Sequence, residues 1–172
     1  MYTKDAIRFS LSLAEQAVMG SIDTIKDAPL TFPTGNGGCH PLWVVGHLAF
    51  IEGMMHQLLA GGENAAADWG AMFGPETIVS GDASRYPSLE EVRARYVELR
   101  RQNLALLESF SEADLDRPTA SQPAGMEELF ATYGKALLTL AVHQAMHRGH
   151  VTDAIRAAGR AGAVAVPTRA AA

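Results

Sequence analysis

Apolar residues in this chain recur every three to four positions through four stretches of about twenty residues, and clusters of proline and glycine separate the stretches. That spacing gathers the apolar side chains of each stretch on one face of a helix, whereas a half-buried strand would need strict alternation. In the first stretch, about Lys4 to Asp27, the stripe is Ile7, Leu11, Ala14, Val18, Ile22 and Ile25, with Thr3 expected as the N-cap. The second opens at Pro41, whose missing N–H is not needed at the first helical position, and runs to Leu59 before Gly61 and Gly62. Its inward stripe reads Val44, His47 with Leu48, Ile51, Met54 with Met55, then Leu58. Ser88 and Glu91 form a capping box at the start of the third helix, which extends to about Phe110. Ser111 and Asp114 are expected to cap one further turn, and a short helical piece near Met126 to Phe130 leads into the fourth helix. That helix covers roughly Tyr133 to Ala158, with Gly159 at the position past its end where glycine is favoured.

The expected fold is therefore all-α, one domain over residues 1–160 followed by an Ala-rich, frayed tail over residues 161–172. The 172 residues are enough for one core, and the apolar 48% is led by alanine, leucine and valine, which suits helices packed closely on helices. Pro29, Pro33 and the run Gly35-Asn36-Gly37-Gly38 mark a first loop. Residues 61–87 form a connection so long that it should cross over the bundle or cover a site. These two loops, residues 28–40 and 61–87, are expected to supply a pocket, with Trp69 and Phe73 as candidate walls and Trp43 either a wall or, as large aromatics at helical spacing more often are, part of the core.

Acidic side chains exceed basic ones by five, so the basic stripe that nucleic-acid binding needs is missing. Cys39 is alone, which leaves no partner for an internal disulfide or a thiolate cluster and suggests a small, semi-buried loop residue. Asp5, Arg8 and Glu15 interrupt the first apolar stripe, against a signal peptide, and no apolar run approaches the ~18 residues of a membrane span. A soluble, cytoplasmic protein is expected, with no nucleic-acid or membrane partner.

The fourth helix carries the chemistry. Its seam, stepping by three or four, reads Ala136, Leu140, His143, His147, His150, Ala154, Ala158. At ~100° per residue, His147 lies about 40° from His143 and His150 about 20° from it on the other side. Burying imidazoles without partners costs on the order of 1–3 kcal/mol each, and pairing them with one another satisfies only part of the set. A metal ion removes that cost, because each neutral ring can give one lone pair while its other nitrogen bonds elsewhere. The His-x-x-x-His spacing sets two ring nitrogens one turn apart, as adjacent ligands require. His47, on the inward stripe of the second helix, is the natural third ligand.

The remaining histidines are placed by the same arithmetic. His56 faces about 180° away from His47, at the surface or an interface, and His40, about 10 Å along the helix, is a cap or rim residue. His150 is open between fourth ligand, supporting residue and proton shuttle. Gly46 and Gly149 adjoin the histidines, each costing roughly 1 kcal/mol in a helix. Either close approach of the second and fourth helices, room for substrate, or ordinary small-residue packing would account for them. Gln144 stands where a zinc-peptidase helix has its general-base Glu, which argues against that class.

At His40-Pro41-Leu42-Trp43-x-x-Gly46-His47-Leu48 and His143-x-x-x-His147-Arg148-Gly149 the chain resembles the DinB-like (DinB/YfiT) superfamily of metal-binding helical proteins. The resemblance covers nearly the whole chain in helix order and spacing. It implies a four-helix bundle running up-down-down-up, with the 61–87 connection as the crossover between the second and third helices. It also implies metal ligation by His47, His143 and His147, with Zn²⁺ or Ni²⁺ as the usual occupant, and homodimers. Many relatives carry Gln where this chain has His150. The superfamily includes S-transferases that use low-molecular-weight thiols, among them bacillithiol and mycothiol, a thiol-dependent isomerase and candidate hydrolases.

Three neutral ligands with an open position form a catalytic rather than a structural pattern. The leading expectation is a metal-dependent transferase that activates a low-molecular-weight thiol toward a small-molecule substrate, with His150 as the acid/base group. Arg148, about 100° from His147, is expected at the rim or in a salt bridge. The alternatives are a metal-dependent hydrolase and, in a different class, a non-catalytic domain whose metal stabilises a dimerisation or binding surface.

Overall fold

The computed structural model describes residues 2–27, 30–31 and 38–159. The expected loop residues Pro29, Pro33, Gly35, Asn36 and Gly37, and the tail 161–172, lie outside the described residues. Five helices carry the fold: α1 (Thr3–Asp23), α2 (Pro41–Ala60), α3 (Gly70–Phe73), α4 (Leu89–Ser109) and α5 (Tyr133–Ala157). Among the described residues there is no strand, only an isolated antiparallel bridge between Pro118 and Thr132. Nor, among the described residues, is any helix long and apolar enough to cross a membrane.

The four long helices match the four periodic stretches. α1 packs chiefly on α5, and α2 packs on both α4 and α5. α3 is a single turn inside the long connection, too short for any periodicity to mark it. The segment at Met126 to Phe130 forms hydrogen-bonded turns rather than the expected short helix, with Phe130 N–H reaching Met126 O.

Local chemistry sets the boundaries. His40, not a hydroxyl or carboxylate residue, caps α2: its Nδ1 accepts from Trp43 N–H at 3.0 Å. Gly61, at φ 81°, closes that helix in the left-handed region that favours glycine. Ser88 Oγ accepts from Glu91 N–H at the head of α4, as the capping box requires. Ser111 and Asp114 cap the 3₁₀ turn Ala113–Asp116 reciprocally. Thr3 is not the cap of α1. It is already helical, and Glu112 from the distant α4–α5 segment accepts from Thr3 N–H and Lys4 N–H instead. A carboxylate at a helix N-terminus also favours the macrodipole.

The core divides into two apolar clusters. One gathers Val18, Ile22, Val44, Leu48, Phe73, Tyr96, Val151 and Ile155. The other gathers Ile7, Leu11, Ile51, Met55, Leu107, Leu137 and Leu140. On α5 the first cluster begins at Val151 and the second ends at Ala141, so His143, Gln144 and His147 occupy the interval between them. α2 is buried on nearly every side from Pro41 to Ala49, which marks it as the central helix rather than an amphipathic surface one.

Candidate metal centre

The residues between the two clusters bring polar groups into the bundle, and they do so in two separate sets. The first set is His47, His143 and His147. His47 and His147 are buried and His143 is half-buried, and one nitrogen from each lies within 4.8 Å of the others. The Nε2 atoms converge: His143 Nε2 is 3.3 Å from His47 Nε2 and 3.1 Å from His147 Nε2.

The opposite ring atoms decide what those nitrogens carry. His47 Nδ1–H donates to the Phe73 carbonyl at 2.7 Å, because a carbonyl can only accept; His47 Nε2 is therefore a bare lone pair. His147 Nδ1 lies 3.2 Å from His150 Nδ1, an arrangement that leaves His147 Nε2 free as a second lone pair when His147 donates. One proton on His143 Nε2 cannot satisfy both neighbours in good geometry. A cation at the point of convergence would accept all three lone pairs, so the donor set fits a divalent metal ion. His143 Nδ1 is buried without a partner among the described residues.

Burial holds all three rings neutral, the state a ligand needs. It lowers the pKa of His47, pushes that of His143 down to about 4 and that of His147 down to about 2, and the neighbouring imidazoles add to the effect.

The surroundings explain two motifs. Trp43 stacks on His47, ring centroids 4.5 Å apart and planes 10° from parallel, while its Nε1–H is shared between Met72 O and Thr77 Oγ1. His40 Nε2–H donates to Ser80 O. Both side chains thus tie the 61–87 connection to α2. Gly46 exists for the same contact: a Cβ there would fall 2.2 Å from the Phe73 ring. The small residue admits Phe73 of the connection, not α5 and not a substrate. A Cβ on Gly149 would meet nothing within 4 Å, so no packing reason stands behind that glycine.

Several expectations need correction. The line of α5 that enters the core runs through Leu137, Leu140, Gln144, His147 and Val151, while His150 and Ala158 are exposed. His150 stands outside the three-nitrogen group, behind His147. Trp43 is buried in the core, as a large aromatic at helical spacing commonly is, and Trp69 and Phe73 are buried there too; none of the three lines the cavity on His47 and His143. The cavity that opens on His47 and His143, about 510 Å³, is walled by α2, α5 and the 123–130 turns, and the long connection contributes Pro75. The expected contribution of residues 28–40 lies partly outside the described residues, and its described part adds nothing to that wall. His56 faces α4, with its Nδ1 3.3 Å from Asn103 Oδ1. Arg148 makes no ion pair among the described residues, and Cys39 is half-buried as expected.

The second polar set went unread in the sequence. Glu52, fully buried, accepts from Arg100 (2.8 Å), from Asn103 Nδ2 (2.7 Å) and from Gln144 Nε2 (2.8 Å). Gln144 also donates to Tyr96 Oη at 3.1 Å. Burial pushes the Glu52 pKa up, but the groups reaching its carboxylate oxygens all donate and Arg100 brings a full positive charge, so Glu52 is held as the anion, and its charge keeps the Arg100 pKa raised against burial. The signal was present: a glutamate inside Phe50-Ile51-Glu52-Gly53-Met54, and Arg100 and Asn103 at seam positions of α4 between Tyr96 and Leu107.

A family model for the DinB superfamily matches residues 10–151, most of the chain. No curated protein matches the sequence.

Proposed function

The chain belongs to the DinB superfamily, and from that premise we propose that it is a metal-dependent transferase that activates a low-molecular-weight thiol beside His47, His143 and His147. The observation that carries this reading is the meeting of three Nε2 atoms beside a cavity that His47 and His143 line. A structural ion is enclosed by its ligands, whereas here two of the three candidate ligands line open space.

In this reading each residue has a task. His47, His143 and His147 hold the ion, Zn²⁺ or Ni²⁺, and supply no charge of their own. The ion would act as a Lewis acid that favours the anionic form of a thiol at neutral pH. Phe73 O and Trp43 orient His47. His150 holds the His147 ring through Nδ1, and its exposed position suits it to pass protons to solvent. Among the described residues the cavity wall contains no Asp, Glu, Lys or Arg. That composition favours thiol transfer over hydrolysis, because a thiol loses its proton near pH ~8.5 without help, whereas ester or amide cleavage leans on a general acid for the leaving group.

The wider arrangement belongs to the same proposal. The start of α4 joins the start of α2 through Val92 and Val44 in one cluster, and α1 and α5 each pass from the second cluster to the first along the chain. These pairings support an up-down-down-up bundle with residues 61–87 as the crossover, forming one domain over residues 1–160. A homodimer and a cytoplasmic location complete the reading.

Elemental mass spectrometry on tag-free protein, beside the His143→Ala variant, tests it. The expected result is about one Zn or Ni per chain, lost in the variant, together with metal-dependent transfer of a thiol to an electrophile. A folded protein that takes up no metal when supplied with it overturns the ligand assignment. Metal-dependent ester cleavage without thiol transfer would replace the transferase by a hydrolase.

A further inference from the structure

The walls of the cavity beside the histidines say what it can hold. Apart from His47 and His143, its lining among the described residues is Met, Leu, Ile, Val, Phe and Pro with a single hydroxyl, Thr139. The Thr139 Oγ1–H is already committed to Leu129 O at 3.0 Å. A hydroxyl-rich or charged molecule entering this space would give up its water and find almost nothing to bond to. The volume, about 510 Å³, falls within the ~300–1,000 Å³ typical of sites that enclose a small molecule. Four of the wall residues are methionines, Met54, Met55, Met126 and Met146, whose flexible thioethers adapt to ligands of different shape.

We infer that this cavity binds an uncharged alkyl or aromatic group, and that it is the site of the apolar electrophilic co-substrate, not of the polar body of the thiol. The orientation, with the reactive end toward His47 and His143, rests on the metal reading above; the apolar site does not. Its outer wall is unusual for a surface left to water. Leu138, Val142 and Met146 form a stripe along α5 that is 40%, 60% and 67% exposed, and Met126 and Leu129 face the same space. Continuity of this stripe with the candidate ligand His143, on the same helix and in the same cavity, argues for a small ligand over a second copy of the chain.

The test uses the full chain, with metal content measured on the same sample. N-phenyl-1-naphthylamine, an uncharged fluorophore that brightens in apolar surroundings, is bound and then displaced by 1-alkanols from butanol to decanol. Saturable binding is expected, with displacement strengthening roughly fourfold per methylene until the cavity is full. Met146→Glu should weaken probe binding about tenfold and Met146→Leu should restore it, with metal content unchanged in both. A flat response to chain length, or Met146→Glu binding as tightly as the parent, overturns the inference. So does a Met146→Glu chain that turns from dimer to monomer while binding the probe unchanged, since a second copy would then be the occupant. A folded sample that takes up no metal when supplied with it, yet still shows the chain-length response, refutes the metal reading and leaves the apolar site standing.

Discussion

A single carbonyl sets the state of His47. Phe73 O can only accept, so the imidazole keeps its proton on Nδ1 and offers Nε2 inward. The Phe73 ring in turn fills the space above Gly46, where a methyl group would come within 2.2 Å of it. Backbone glycine, aromatic ring, carbonyl and histidine tautomer form one chain of cause. Gly46→Ala should therefore leave the helix content intact, since alanine is the better helix former, and weaken metal binding by about 10–100-fold, the usual effect of losing a partner behind a ligand. Metal affinity by competition with a chromophoric chelator checks this; unchanged affinity in a folded Gly46→Ala protein would show that Phe73 O does not orient the ring. Trp43, stacked on the same imidazole and anchored to Met72 O and Thr77 Oγ1, blocks the ring from rotating away.

Among the helices, α2 is the one that the others are built around. It is buried nearly all round, so its single carboxylate cannot escape to water, and α4 and α5 answer it with Arg100, Asn103 and Gln144. An ion pair of this kind adds little over an apolar core, yet breaking it strands a charge. Arg100→Met should cost about 3–5 kcal/mol in urea unfolding, and Glu52→Gln in the same chain should recover part of it, because the charge is gone while an acceptor for Asn103 and Gln144 remains. A loss below about 1 kcal/mol for Arg100→Met would mean that Glu52 is not charged in the fold. α5 divides its labour by face: Gln144 and His147 point to the core, His143 lies on the flank, and Leu138, Val142 and Met146 face the open cavity.

The whole molecule concentrates imidazoles where water is scarce, and this makes its stability depend on pH. The His143 and His147 pKa values lie at about 4 and about 2 in the fold, against 6.5 for a free ring. Between those limits the unfolded chain binds more protons than the folded one, so stability rises with pH. The contribution is complete above pH 6.5 and is lost as the pH falls toward the folded values. For metal-free protein, the urea midpoint should stay level above neutrality and drop between about pH 6.5 and 5, before ordinary carboxylates titrate. His143→Gln should show a shallower drop over the same range. Equal slopes for the two proteins would remove His143 as a source of the effect.

The four long helices, the capping box at Ser88, the helix start at Pro41 and the alignment of His47, His143 and His147 were legible in the sequence, because a period of 3.6 residues converts spacing directly into facing. Family membership was legible for the same reason, in two short motifs at fixed spacing. Other features follow from contacts between residues far apart in the chain, and no periodicity encodes those. Glu112 capping α1 from 108 residues away, Phe73 filling the space over Gly46, and Glu52 meeting Arg100 and Gln144 each required the helices to be docked first. The pocket shows the difference most clearly. Side-chain type located the histidines, but which side of them stays open depends on where Met126 to Phe130 fold back against α5. That fold-back is set by turns and tertiary packing, which act on shape and volume rather than on sequence pattern.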